Sequence, residues 1–120
     1  MPVPVKTWDF YKTAAGAVPV HKELDKHKLN AMELAKLQTI MDRIAEGRAQ
    51  PKDVKSLRDG VLEVRVRVGK RQLRMTYAEG GDGLILLALH FFQKQRQVEA
   101  THIDLAVSRL EDWRSRTPNW

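Results

Sequence analysis

The chain lacks cysteine and has no long hydrophobic run. The absence of cysteine excludes a disulfide scaffold, thiol catalysis and cysteine-ligated zinc, and it fits a reducing compartment. The longest apolar run, residues 84–89, is far short of the roughly 20 residues that a membrane-spanning helix needs. We therefore expect a cytoplasmic protein with no membrane among its partners.

Glycine-rich phosphate loops, serine-hydrolase motifs and metal-ligand clusters are missing from the sequence too. The few glycines stand where turns are expected. Three of the histidines, His21, His27 and His102, are scattered without metal-ligand spacing and are expected at the surface. The sequence therefore predicts neither a metal site nor a cofactor.

What the chain has in excess is positive charge. Its formal net charge is +6 and its sequence pI is near 9.8, which favours nucleic acid, an anionic membrane surface or an acidic protein as partner. Residues 48–74 carry nine basic and three acidic side chains, an excess of six that equals the whole net charge. At 120 residues, with 42% hydrophobic composition, we expect one globular domain spanning residues 1–120.

Two segments of the basic region alternate apolar and polar residues. Residues 61–68 and 72–77 show the two-residue period of half-buried strands. Residues 69–70 between them, with glycine first, fit a two-residue turn of type II′. This turn predicts a hairpin whose core side places Val64 opposite Met75.

The same register brings arginines together on the other side of the hairpin. Arg65 faces Arg74, and Arg67 lies beside them. Like charges directly opposed across two strands are unfavourable on their own. We therefore expect these arginines to converge on one solvent-facing side of the sheet and to hold an anion, such as a phosphate backbone.

The first elements of the chain follow from composition and helix caps. Residues 6–12 are rich in aromatic residues and are predicted to form a strand. A short helix follows, with Pro19 in its first turn. A second helix is expected to begin with a capping box made by Asn30 and Glu33 and to end at Gly47.

The remaining elements complete the predicted architecture. Residues 48–58 are expected to form a basic loop, and residues 84–92 are apolar on both faces, as in a covered central strand. A last helix is predicted from Thr101, with Asp104 completing its cap. The order β-α-α-β-β-β-α predicts an α+β fold: a small antiparallel β-sheet with two N-terminal helices and one C-terminal helix.

Four segments match a known family when they are taken together and in order. They are residues 57–65 (LRDGVLEVR), 73–77 (LRMTY), 89–94 (LHFFQK) and 103–109 (IDLAVSR). The chain resembles toxins of the RelE/ParE superfamily, in the phage-derived Gp49-like, HigB-like branch, over about residues 8–113. The resemblance implies a RelE-like fold and the toxin of a type II toxin–antitoxin system. It also implies a ribosome-dependent mRNA endonuclease, an mRNA interferase that inhibits translation.

The resemblance further implies where the catalytic residues lie. Arg65 and Arg74 stand at the family's basic hairpin positions, and Lys94 and Arg96 form the basic cluster after the last strand. The family commonly has two adjacent lysines in that cluster, whereas this chain has Gln95 after Lys94. The second basic position is therefore missing or displaced to Arg96.

Positive side chains suit the chemistry that this family performs. RNA cleavage without a metal uses the ribose 2′-hydroxyl as nucleophile, so the enzyme must align it and stabilise charge on the phosphorane. A guanidinium grips phosphate oxygens with two donors and stays charged, which makes Arg65 and Arg74 candidate clamps; the alternative is a solvated basic face. General contacts to RNA or to the ribosome, with ordinary surface charge as the alternative, are assigned to Lys55, Arg67, Lys70 and Arg71.

The general base is less clear from the sequence. His90 has the right class of pKa for proton transfer, but it lies in an apolar strand, where a hydrogen-bonded core histidine is an equal alternative. Some members of the family use a tyrosine at the start of the last helix. This chain has His102 and Ile103 there.

Three functions are consistent with these observations. The first is a metal-independent endoribonuclease that cuts mRNA on the ribosome, contacts ribosomal RNA and is neutralised by a cognate helix-turn-helix antitoxin. A ParE-like poison of DNA gyrase shares the fold without nuclease activity, and a non-catalytic nucleic-acid-binding module needs only the basic surface. The hairpin arginines with Lys94 favour the nuclease, whereas the missing second lysine and tyrosine leave the other two open.

Overall fold

The chain forms one mixed β-sheet with helices on both faces in a computed structural model, which describes residues 5–95 and 99–120. The strands are β1 (Thr7–Phe10), β2 (Val54–Ser56), β3 (Leu62–Val68), β4 (Arg71–Gly80) and β5 (Ile85–Gln93), and the helices are α1 (Pro19–Lys26), α2 (Ala31–Ala45) and α3 (Ala100–Arg116). The predicted α+β class, with two helices before the hairpin and one at the end, is confirmed.

The sheet differs in detail from the small antiparallel sheet that was predicted. Its five strands lie in the order β1-β5-β4-β3-β2. The pairs β2–β3, β3–β4 and β4–β5 are antiparallel, whereas β1 is parallel to β5. A parallel pair needs a long connection, and here that connection includes α1, α2 and the whole hairpin.

The extra strand, β2, lies inside the segment that was predicted to be a basic loop. Val54 pairs with Val64, and Ser56 pairs with Leu62. Three residues are too few to show an alternation pattern, and Lys55 and Ser56 are exposed, so the sequence carries no strand signal there. The strand exists because the outer edge of β3 offers it backbone partners.

The hairpin has the predicted register. Val64 pairs with Met75 and Arg65 pairs with Arg74. Gly69, at the first central position of the turn, has a φ of 58°, a left-handed conformation that glycine adopts without steric cost. The local pattern and one glycine therefore determine which side chains meet across β3 and β4.

The two faces of the sheet are covered by different helices. One face packs against α1 and α2 in a core that includes Val20, Leu37 and Met75, and the other packs against α3 through Leu87 and Leu110. Each fully buried side chain of this size contributes about 1.5–3 kcal/mol. Within the described residues, no helix combines the length and apolar character needed to cross a membrane.

One of the two predicted helix caps is present. In α2, the Glu33 backbone N–H donates to Asn30 Oδ1 (2.8 Å), and the Asn30 N–H donates to Glu33 Oε1 (2.9 Å). The cap predicted at Thr101 is wrong, because α3 starts one residue earlier and has no side-chain cap. Asp104 instead forms an ion pair with Arg58.

A β-bulge in β5 reverses the direction of its last side chains. Thr76 pairs with His90, but Tyr77 pairs with Ala88, so Leu89 is an extra residue. Leu89 packs against α3, and strict alternation would turn His90 away from that helix. Because of the bulge, His90 lies on the α3 side, where its ring stacks on Phe92.

Candidate nucleic-acid site

Arg65 and Arg74 lie next to each other on the face of the sheet opposite α1 and α2. A third residue of the same face, Glu63, lies between them. Its Oε1 is 3.6 Å from Arg65 Nε and 3.4 Å from Arg74 Nε. The Glu63 carboxylate therefore offsets the two like charges that the register brings together. Period-2 alternation along β3 is the sequence signal that places Glu63 on the same face as Arg65.

The expectation that both arginines face solvent is wrong for Arg74, which is only 6% exposed. Its side chain is covered by the neighbouring strand and by Glu99 at the start of α3, whose Oε1 is 3.9 Å from Arg74 Nε. The guanidinium also donates to Gln72 Oε1 (3.0 Å) and to the Leu73 carbonyl (3.1 Å). Arg74 is thus held in one orientation, whereas Arg65 is half-buried at the rim.

Burial shifts the ionisation of this cluster. Desolvation raises the pKa of Glu63 above its ordinary value of 4.5, with Glu99 adding to the shift and Arg74 opposing it. Desolvation also lowers the pKa of Arg74 below its ordinary value, and Glu63 opposes that shift. Among the described residues, neither Arg65 Nε nor Arg74 Nε makes a hydrogen bond, although Glu63 Oε1 lies at ion-pair distance from both. Both Nε atoms are buried beside Glu63, so an anion in this site must be bound by the outer guanidinium nitrogens.

Replacing Glu63 by glutamine is expected to change how stability depends on pH. Since the folded state raises the pKa of Glu63, the native protein holds this proton more tightly than the unfolded chain does, and stability falls as pH rises above about 4.5. The glutamine in Glu63→Gln cannot titrate. The unfolding free energy of this variant minus that of the wild type should therefore increase as pH rises. Urea titrations between pH 4.5 and 8 measure this difference, with the exposed Glu46→Gln as control. A constant difference at every pH would contradict the prediction.

Lys94 follows the last residue of β5 and lines the same cavity as Arg65 and Arg74. Its backbone N–H donates to the Gln72 carbonyl (2.7 Å), and its Nζ is 3.5 Å from Glu99 Oε1. Glu99 therefore links Lys94 to Arg74. Arg96, the other predicted member of this cluster, lies outside the described residues.

A basic cavity opens at the edge of β3, beyond the first residue of β2. Its volume is about 440 Å³. Seven of its lining side chains are positively charged, and they come from α2, the loop before β2, the hairpin and the end of β5: Lys36, Arg43, Lys52, Arg65, Arg67, Arg74 and Lys94. Lys36, Arg43 and Lys52 were not singled out from the sequence, because only the docking of α2 brings them to this edge. The cavity has the size and charge for a phosphate group and its flanking sugar.

The four residues predicted to contact RNA or the ribosome occupy different places. Arg67 lines the cavity. Lys55 is exposed on β2, where it pairs with Glu63 of β3, and Lys70 is exposed in the hairpin turn. The Arg71 side chain donates to both carboxylate oxygens of buried Glu33 (2.9 and 3.0 Å). Arg71 therefore ties the start of β4 to α2, and its guanidinium is already occupied.

His90 belongs to a second cluster, which was not predicted. Its Nδ1 is 2.8 Å from Glu23 Oε2 on α1, and its Nε2 is 2.7 Å from Nδ1 of His102 on α3. His90 is only 5% exposed. The expectation that His102 is an isolated surface histidine is therefore wrong: α3 packs its first turns against the end of β5, so His102 is half-buried and bonded to His90.

The sequence is similar to a known family and to named proteins. Residues 22–111 match the family model described as Phage derived protein Gp49-like. The protein named Probable endoribonuclease HigB1, from Mycobacterium tuberculosis strains Oshkosh and H37Rv, is 26% identical over 113 residues. That alignment covers 94% of this chain and 89% of the mycobacterial protein, so the similarity extends over both chains almost completely.

Proposed function

The chain belongs to the phage-derived Gp49-like family and is a HigB-like member of the RelE/ParE superfamily, and from this premise we propose that it is a toxin that cuts mRNA. Its mycobacterial relative, 26% identical, is named as a probable endoribonuclease, which supports this proposal. The toxin would belong to a type II toxin–antitoxin pair and would act on mRNA that is being translated.

The observation that carries the proposal is the paired arginines at the basic cavity. Arg65 and Arg74 are direct cross-strand partners, and Lys94 joins them from the end of β5. Three positive groups, from β3, β4 and the residue after β5, line one space, which suits a phosphate group with charge on several oxygens. Arg74, fixed by its own hydrogen bonds, needs little reorganisation when charge develops.

We propose a cleavage that needs no metal. The 2′-hydroxyl attacks the adjacent phosphorus, the P–O5′ bond breaks, and a 2′,3′-cyclic phosphate remains on the upstream fragment. Arg65 and Arg74 stabilise the negative charge on the phosphorane, and Lys94 neutralises the non-bridging oxygens. Arg67 and Lys52 at the rim of the cavity hold the RNA backbone through charge alone, so binding should weaken as salt increases.

Induction of the protein in bacteria tests the proposal. Primer extension on mRNA maps new 5′ ends, and a supercoiling gel of plasmid from the same cells reports on gyrase. New ends inside translated codons, together with intact supercoiled plasmid, are the expected result. Cleaved or relaxed plasmid without new mRNA ends would replace this function with a gyrase poison. Binding without either effect would indicate a non-catalytic nucleic-acid-binding module.

A toxin of this kind needs a partner that restrains it, and we propose a small helix-turn-helix antitoxin encoded by an adjacent gene. The basic cavity favours a partner that brings acidic side chains to it. Co-expression of each neighbouring gene should identify one that restores growth and co-purifies with this chain. Failure of every neighbour to restore growth would argue against a two-gene unit.

A further inference from the structure

The cluster around His90 has the form of a proton relay with one open end. Its members are Glu23, His90 and His102, joined by contacts of 2.8 and 2.7 Å. Both ring nitrogens of His90 are occupied, and the residue is buried, so His90 itself cannot reach a substrate. His102 is half-buried, and within the described part of the chain its Nε2 has no hydrogen-bond partner. The open end is therefore His102 Nε2.

Hydrogen bonding determines which nitrogen of each ring carries the proton. A carboxylate can only accept, so Glu23 receives the N–H of His90 Nδ1. The Nε2 of a neutral His90 is then an acceptor, and it receives the N–H of His102 Nδ1. His102 Nε2 is left with a lone pair, the form of imidazole that a general base requires.

Glu23 is held as a carboxylate by groups from two other elements. Its Oε1 accepts the backbone N–H of Phe91 (3.0 Å), and its Oε2 is 3.0 Å from Nη1 of Arg109 on α3. Desolvation opposes the charge, but the bonds from His90 and Phe91 and the charge of Arg109 lower the pKa of Glu23 below its ordinary value. The relay therefore ends in a fixed negative charge that can stabilise an imidazolium at His90.

The relay adjoins the arginine site. It lines a cavity of about 290 Å³ together with Phe92, Lys94 and Glu99. Lys94 also lines the basic cavity, and Glu99 lies against Arg74. The ring of His102 stacks on Phe92 with centroids 4.0 Å apart and planes within 2° of parallel, which fixes its orientation. A nucleotide chain can thus lie across both cavities, with Lys94 at their common wall.

From this juxtaposition we infer that His102 is the general base of the cleavage, with His90 and Glu23 as the residues that position it. The inference rests on the proposed function. His102 Nε2 takes the proton of the 2′-hydroxyl while the 2′-oxygen bonds to phosphorus and the P–O5′ bond breaks. The Nδ1 proton of His102 moves to His90 Nε2, so the positive charge is stabilised beside Glu23. The departing 5′-oxygen takes a proton from water, and the relay returns its extra proton to solvent.

The surroundings of His102 predict the pH dependence of the reaction. His90 on β5, Glu23 and His27 on α1 and Glu99 near the start of α3 surround it, and the Lys94 ammonium lines the same cavity. Desolvation, which is the largest cause, and the neighbouring His90 lower the pKa of His102 below 6.5, while Glu23 and Glu99 oppose the shift. Because a base must be unprotonated, cleavage should fall as pH drops below that lowered value and stay level above it.

Three variants of the full chain test the inference in a translation-coupled cleavage assay. His102→Ala should slow cleavage by at least about a hundredfold, and added imidazole should restore part of the rate. Glu23→Gln should slow cleavage less and move the acid limb of the pH profile to lower pH, since the imidazolium loses its counter-charge. His21→Ala, at an exposed histidine of α1, is the control and should leave both rate and profile unchanged.

A second measurement does not depend on activity. Long-range ¹H–¹⁵N NMR spectra of the wild type should show His102 protonated at Nδ1 only, near neutral pH, and Glu23→Gln should change that tautomer. A wild type that folds but fails to cut translated RNA overturns the proposed function and the role of His102 together. If the wild type cuts and His102→Ala cuts at the same rate, the role of His102 as general base is overturned while the proposed function stands. His102→Gln replaces the alanine variant in this comparison if the latter does not fold. A wild-type His102 protonated at Nε2 and not at Nδ1 overturns it as well.

Discussion

Arg74→Ala is expected to slow RNA cleavage by a factor on the order of 10² to 10³ and to destabilise the protein at the same time. The arginine is 6% exposed, and its Nε lies 3.4 Å from buried Glu63, so its removal leaves a carboxylate without its main counter-charge. Breaking such a pair costs about 3 kcal/mol or more of unfolding free energy. A fully exposed arginine would instead contribute little to stability, so its loss would affect cleavage alone.

A double variant separates the two effects. Glu63→Gln combined with Arg74→Gln removes both charges, so most of the lost stability should return while cleavage stays low. Arg71→Ala is the matched control, because it breaks an arginine pair with buried Glu33 outside the basic cavity. It should lose stability but keep its cleavage rate wherever it remains folded. Denaturation curves and cleavage rates on the same samples provide both readings. Full activity in the folded double variant would exclude Arg74 from catalysis.

Translation of the message is expected to accelerate cleavage at least about a hundredfold relative to the same RNA without ribosomes. In the proposed function the basic cavity holds a phosphate, but free single-stranded RNA rarely keeps its 2′-hydroxyl in line with the leaving oxygen. A message held by the ribosome is ordered before it meets the site, which supplies this alignment. The measurement compares one transcript with and without programmed ribosomes at the same salt concentration.

Two controls accompany this comparison. A transcript with a 2′-deoxy sugar at the mapped cut should resist cleavage on the ribosome, since the internal nucleophile is missing. Binding to free RNA should be weak and should fall with added salt, because it depends mainly on charge. Equal and rapid cutting of free and translated RNA would show that the chain needs no ribosome.

The hairpin shows how much local sequence can determine. Alternating residues specify which side of β3 and β4 is buried, and Gly69 fixes the turn, so the pairing of Arg65 with Arg74 followed from the sequence alone. The capping box of α2 was equally local, since Asn30 and Glu33 are three residues apart. In each case the interacting groups are close in the chain or related by one turn.

Tertiary packing decided what surrounds those groups. The sequence placed Glu63 on the face of Arg65 but gave no indication that it would be fully buried or that Glu99 would cover Arg74. The basic cavity likewise needed α2 to bring Lys36 to the edge of β3. Burial depends on which helix docks on a sheet face, and alternation along one strand does not contain that information.

The cluster of Glu23, His90 and His102 depends entirely on contacts between elements that are distant in the sequence. A bulge at Leu89 turns His90 toward α3, the first turns of α3 supply His102, and α1 supplies Glu23 from far away in the sequence. A period-2 pattern predicts the direction of a side chain only while the ladder is regular. The sequence by itself thus determined the α+β class and the arginine pair. Long-range packing, which buries the apolar faces of β5, decided which titratable side chains lie together at its end.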